Sequence, residues 1–163
     1  MFSPTTYDWM DKRVSYDALV SDLTHLLGDE RDPVANASQA AALVWHALPD
    51  LNWGGFYFFD GTELVVGPFQ GLPACTRIAL ARGVCGAAAS QRASIVVPDV
   101  HAFPGHIACD SRSRSELVVP IVSADGALRG VFDLDSPTPA RFDDADRIGV
   151  EALVAAFVAA TRW

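Results

Sequence analysis

Two Asp-Gly steps constrain this chain more than any other feature. Asp60-Gly61 lies between apolar, strand-like runs at residues 53–59 and 63–70, and Asp125-Gly126 lies between runs at 117–122 and 128–134. Asp-Gly reaches the backbone angles of a tight turn at little cost, so each step predicts a β-hairpin and an antiparallel strand pair. Helical patterns surround the hairpins. Tyr16, Leu19, Val20, Leu23, Leu26 and Leu27 share one stripe, which predicts a helix over 15–27 with Ser15 as its N-cap and Gly28 as its stop. Asp32-Pro33 starts a second helix that Pro49 closes. Residues 84–91 are small and alanine-rich, a short helix, and 94–97 form a short apolar strand. Asp143-Asp-Ala-Asp opens a final helix with acidic groups at its positive end and with Val150, Leu153 and Phe157 on its apolar face. Residues 71–83 and 101–113 read as loops, long enough in so small a chain to suggest function. The expected fold class is α+β, an antiparallel sheet with helices from both chain ends packed on one face. Residues 1–14 read as a mobile lead-in and 15–163 as a single domain.

Charge narrows the function classes. A net charge of −8 over 163 residues argues against a nucleic-acid backbone or an anionic membrane as partner. The longest apolar run, 152–160, is too short to span a bilayer, and no basic segment followed by an apolar one opens the chain. The expected location is cytoplasmic. No GxGxxG follows a strand, so neither a flavin nor a nicotinamide cofactor is expected.

The chemistry-bearing residues are the three cysteines, Cys75, Cys85 and Cys109. An odd number in a reducing compartment makes a poor disulfide framework, and the wide spacing lacks the close ligand pairs of a structural zinc site. Cys109 stands in a polar segment with His106, Arg112 and Arg114, surroundings that favour a reactive thiolate. Cys85, between Val84 and Gly86, is about as well explained as a buried small hydrophobe. Cys75 lies between these extremes.

The element order resembles a GAF domain. More closely, the chain is similar to the free methionine-(R)-sulfoxide reductases, stand-alone GAF-type enzymes, over residues 52–135. The resemblance is carried by Asn52-Trp53-Gly-Gly-Phe56-Tyr57, Gly67-Pro-Phe-Gln-Gly71, Pro73-Ala-Cys75, Gly83-Val-Cys85-Gly86, Phe103-Pro-Gly-His106-Ile-Ala-Cys109-Asp110, Ser113-Arg-Ser-Glu116 and Gly130-Val-Phe-Asp133-Leu-Asp135. It implies that Cys109 is the nucleophile, Cys75 the resolving thiol and Cys85 an auxiliary one. It further implies that Trp53 and Tyr57 wall the substrate methyl group and that Glu116, Asp133 and Asp135 supply polar contacts. Free methionine (R)-sulfoxide would be the substrate, and a thioredoxin-like protein the reductant.

Chemistry is compatible with those roles. A thiolate must attack the sulfoxide sulfur while the oxygen is protonated or strongly hydrogen-bonded, and a carboxylic acid kept neutral by burial or by a second carboxylate can supply that proton. Asp133 and Asp135, two residues apart on one strand, project to the same face. Any of the three acids could be the donor, with the others binding the ammonium of a free amino acid. By residue type alone, Asp133, Asp135 and Glu116 also fit a solvated sheet face, and Trp53 and Tyr57 fit a core. Rival functions are a GAF-type ligand sensor, a thiol redox sensor without turnover and, lowest, a zinc-bound regulatory domain. A homodimer through the terminal helices is left open.

Overall fold

The computed structural model describes residues 5–106 and 110–163, so Cys109 lies outside the described residues. The elements run α1 (Lys12–Leu27), α2 (Pro33–Ala47), β1 (Trp53–Phe59), β2 (Glu63–Gly71), β3 (Arg77–Ala79), α3 (Gly83–Gln91), β4 (Ile95–Val97), a 3-10 turn (Val100–Ala102), β5 (Ser115–Val122), β6 (Leu128–Ser136) and α4 (Asp144–Ala160). Both Asp-Gly hairpins form. The strands make one antiparallel sheet in the order β3-β2-β1-β6-β5-β4.

The sheet buries both faces, each against different helices. Phe56, Leu117, Val119, Ile121, Phe132 and Leu134 point toward α1, α2 and α4 and form the larger core with them. Helices from both chain ends therefore share one face. The alternate residues, among them Trp53, Tyr57, Val118 and Val131, form a second core under α3. Small residues in α3, with Ala88 and Ala89 buried, let this helix lie close to β5 and β6. A sheet covered on both sides has no solvated face on which to leave its polar side chains.

One buried carboxylate ties the terminal helices together. Asp143 caps α4 and forms a reciprocal capping box with Asp146. Asp146 also accepts from the Tyr16 hydroxyl at 2.9 Å, from Lys12 Nζ at 2.6 Å and from Arg141 Nη1 at 3.1 Å. Two cations and a phenol thus compensate a fully buried charge.

The structure departs from the sequence reading in three places. Helix α1 starts at Lys12 with Asp11 as its N-cap, and the Ser15 hydroxyl instead donates to the Asp8 carbonyl. The segment read as a lead-in is docked where it is described. Trp9 Nε1 donates to the Ala47 carbonyl at 2.8 Å, and its ring meets the edge of Tyr16. Finally, β3 occupies part of the stretch read as a loop; with only Ile78 of its three residues buried, it carries no periodic signal. No helix among the described residues is long and apolar enough to cross a membrane.

The α1–α4 contact gives a test of packing against propensity. Gly149 sits in α4 where an added Cβ would overlap the Tyr16 ring. Alanine is favoured over glycine in a helix by about 1 kcal/mol, whereas overpacking a core costs about 1–3 kcal/mol or more. Because the overlap is with a fixed ring, the steric term should win. Gly149→Ala is expected to lower the urea midpoint by the equivalent of about 2 kcal/mol, and an unchanged or raised midpoint would contradict this packing.

Candidate active site

Strand register assembles the site. Glu116 pairs with Asp135, and Asp135 pairs with Trp53, so one row across β5, β6 and β1 carries all three. The next row toward the sheet interior on this face pairs Val118 with Asp133 and Asp133 with Gly55. Gly55 has no side chain to interrupt the face between Trp53 and Tyr57, and an added Cβ there would run into Phe69. Trp53 stacks on Phe69 with centroids 5.3 Å apart and on Tyr57 at 5.7 Å, which gives a continuous aromatic wall.

These residues line one cavity on the α3 side of the sheet. Trp53, Tyr57, Cys85, Glu116, Asp133 and Asp135 all contribute to it, as do Leu72, Arg82, His106, Asp110 and Ser113. Glu116 is 5% exposed and Asp133 6%, so neither belongs to a solvated face. Trp53 and Tyr57 are both core and pocket, buried on one side and lining the cavity on the other.

The acids shift one another. Burial raises the Glu116 carboxyl well above the ordinary range, and the nearby Asp133 and Asp135 charges add to the effect. Burial also raises Asp133, opposed by hydrogen bonds from Cys85 and Glu116 that favour its charged form. Asp135 is raised by burial and by Asp133, with a hydrogen bond from Ser113 opposing. Glu116 and Asp135 are thus both pushed toward the neutral acid, and Asp133 is the group that accepts hydrogen bonds. The Tyr57 phenol is pushed up, by burial first and then by Asp133. His106 Nε2 lies 3.7 Å from Glu116, and burial lowers its basicity, which favours the neutral imidazole.

The sulfur groups differ sharply. Cys85 is a free, buried thiol whose Sγ donates to Asp133 Oδ2 at 3.2 Å. Burial, then the Asp133 and Glu116 charges, raise its pKa well above the usual thiol value. Cys75 is half-buried, packs against the second core and is disulfide-bonded. Cys85, Glu116 and Asp133 also place ligand atoms within 4.8 Å of one another, a donor set able to hold a divalent cation once deprotonated.

Sequence reasoning assigned no role to Asn52, Asp110 or Ser113, which frame the cavity. Asn52 Nδ2 donates to Asp110 Oδ2 at 3.0 Å and to Ser113 Oγ at 2.9 Å, which anchors the 110–113 turn to the start of β1. Arg112 clasps Asp110 and holds its carboxyl far below the usual range. Trp53 Nε1 donates to the Leu72 carbonyl at 3.2 Å, fastening the loop before Cys75 to the aromatic wall. The available signal was a polar Asn immediately before an aromatic strand.

Comparison with known proteins agrees with this arrangement. The GAF domain family model matches residues 15–161. The free methionine-R-sulfoxide reductase of Escherichia coli is 43% identical over 146 residues, 90% of this chain and 88% of that protein. The chain belongs to the free methionine-R-sulfoxide reductase family of GAF domains. The enzyme of that name from Neisseria meningitidis, solved in complex with its substrate, is 40% identical with a TM-score of 0.90, covering 97% of this chain and 95% of that one. A crystal structure named for a GAF sensor protein from Burkholderia vietnamiensis is 61% identical with a TM-score of 0.90, over 93% and 96% of the two chains.

The raised carboxyls predict a pH-dependent penalty. Below its ordinary value of 4.5, Glu116 is protonated in both folded and unfolded chains. Above that pH the unfolded chain ionises while the folded one keeps its proton. Stability is therefore lost as pH rises toward the folded pKa, by about 1.4 kcal/mol per pH unit at most. Glu116→Gln removes this loss, so its Tm relative to wild type should climb between pH 5 and pH 8. A pH-independent difference, or one that falls, would refute the burial argument.

Proposed function

We propose that this protein reduces free L-methionine (R)-sulfoxide to methionine, with Cys109 as nucleophile and Cys75 as resolving thiol. The observation that carries the reading is the cavity itself: three carboxyl groups of raised pKa face an aromatic wall beside the loop of Cys75. Family membership supports it. So does the presence of His106 and Asp110, both from the motif that carries the resemblance, in the cavity lining. The disulfide-bonded state of Cys75 and the free state of Cys85 fit the same assignment.

The reaction balances with these groups alone. The Cys109 thiolate attacks the sulfoxide sulfur while Glu116, one of the acids pushed toward the neutral form, donates to the oxygen. The oxygen passes to the cysteine sulfur, methionine leaves, and Cys109 becomes a sulfenic acid. The Cys75 thiol attacks that sulfur, a disulfide forms, and the oxygen departs as water. The sulfoxide gains two electrons and two thiols lose them. A thioredoxin-like dithiol restores the thiols by exchange. Trp53 and Tyr57 receive the S-methyl group. Asp133 and Asp135 bind the ammonium, which separates a free amino acid from a residue in a peptide. A redox sensor would use the same thiols but has no need for buried acids that cost stability.

The test is NADPH consumption with thioredoxin, its reductase and each epimer of free methionine sulfoxide. Turnover is expected with the R epimer alone and should vanish in Cys109→Ser. Cys75→Ser should release one methionine per protein and then stop. N-acetylation of the substrate should lower kcat/KM by about 10–100-fold, the weight of one charge-assisted hydrogen bond. No turnover in the wild type, or equal rates with the acetylated substrate, would count against the enzyme and the ammonium site respectively.

A further inference from the structure

We propose that Cys85 is a positioning residue whose thiol proton orients Asp133, rather than a thiol that resolves the sulfenic acid. The inference rests on the reductase reading and gives one of its three cysteines a different task. Cys85 sits in the first turn of α3, and its side chain meets β6 across the second core. A helix N-terminus ordinarily favours a thiolate. Here burial and the adjacent carboxyls Asp133, Glu116 and Asp135 oppose that tendency and keep the proton on sulfur. A buried, protonated thiol is a poor nucleophile toward a sulfenic acid, but it is a competent donor to a carboxylate.

The two oxygens of Asp133 have different surroundings. Oδ2 accepts from Cys85 Sγ at 3.2 Å. Oδ1 is buried and takes no hydrogen bond from a backbone N–H, an amide, an alcohol or a thiol of the described residues; the neighbouring Glu116 carboxyl is the other group that bonds this carboxylate. A buried acceptor without a partner is costly, and Asp133 lines the cavity. The thiol therefore fixes the carboxylate through one oxygen and leaves the other for a donor that enters the cavity. The substrate ammonium supplies such a donor. By stabilising the charged form, the S–H donor also keeps Asp133 ionised at lower pH than burial alone would permit.

Two measurements test the proposal. The first needs no turnover: infrared spectra of the S–H stretching region, with the Cys85 band assigned by its loss in Cys85→Ala. The band should show a hydrogen-bonded thiol and move on Asp133→Asn; a band unmoved by that change overturns the contact. The second is the pH profile of kcat/KM in Cys85→Ser and Cys85→Ala. Serine retains a donor and should recover most of the wild-type rate and its acid limb. Alanine should lose about tenfold at neutral pH, with the acid limb displaced to higher pH. If both variants stop after one methionine per protein, Cys85 is a resolver and the proposal fails. If both lose activity equally with no displaced limb, its role is packing alone and the proposal also fails. A shifted band in a wild type that does not reduce methionine sulfoxide would remove the substrate assignment and leave the thiol-to-carboxylate contact standing.

Discussion

The antiparallel register of β5, β6 and β1 is the constraint on which the site depends. It sets Glu116 opposite Asp135 and Asp135 opposite Trp53, so two acids and one aromatic ring from three strands stand in a single row. A slip of one residue in either pairing would turn a strand's entire set of side chains to the other face. The acids of the slipped strand would then take the place of its apolar residues in the larger core, beside Phe56. That core holds the strands against a one-residue slip, because those apolar residues must stay buried under α1, α2 and α4. The stability of one face therefore dictates the chemistry of the other.

Two aspartates show how environment divides structural from chemical use. Asp146 is fully buried but receives Lys12, Arg141, Tyr16 and a backbone N–H, so its charge is compensated and it joins α1 to α4. Asp133 is buried as well, yet its neighbours are a thiol and another acid. Among the described residues, no cation is a hydrogen-bond partner of Asp133. The first arrangement contributes to folding; the second costs stability and retains an attraction for a positively charged donor. Arg82 and His106 line the same cavity, while Asp110 is held by Arg112 and, with Ser113, by the amide of Asn52.

Much of the fold was legible in local pattern. Asp60-Gly61 and Asp125-Gly126 announce their hairpins because turn chemistry depends on a few adjacent residues, and Gly28 and Asp32-Pro33 mark helix limits for the same reason. Other features were not legible. β3 is a three-residue edge strand held by pairing to β2, and a segment of that length has no period to read. The docking of Trp9 depends on the Ala47 carbonyl, 38 residues away in sequence. Among the site residues, the resemblance named Glu116, Asp133, Asp135, Trp53 and Tyr57. Their residue types alone suggested a solvated face and a core. Asn52, Ser113 and Asp110 frame the cavity through contacts about 60 residues apart in sequence, which no local motif encodes.

By itself, the sequence determined the antiparallel hairpins, the capped helices at both ends and the family to which the cysteine and carboxylate segments point. Those properties follow from neighbouring residues and from short, specific motifs. The tertiary structure alone decided that the acids are buried and that Cys85 meets Asp133. Burial is a property of what α3 lays over the sheet, and a carboxyl's proton affinity depends on that cover rather than on its place in the chain.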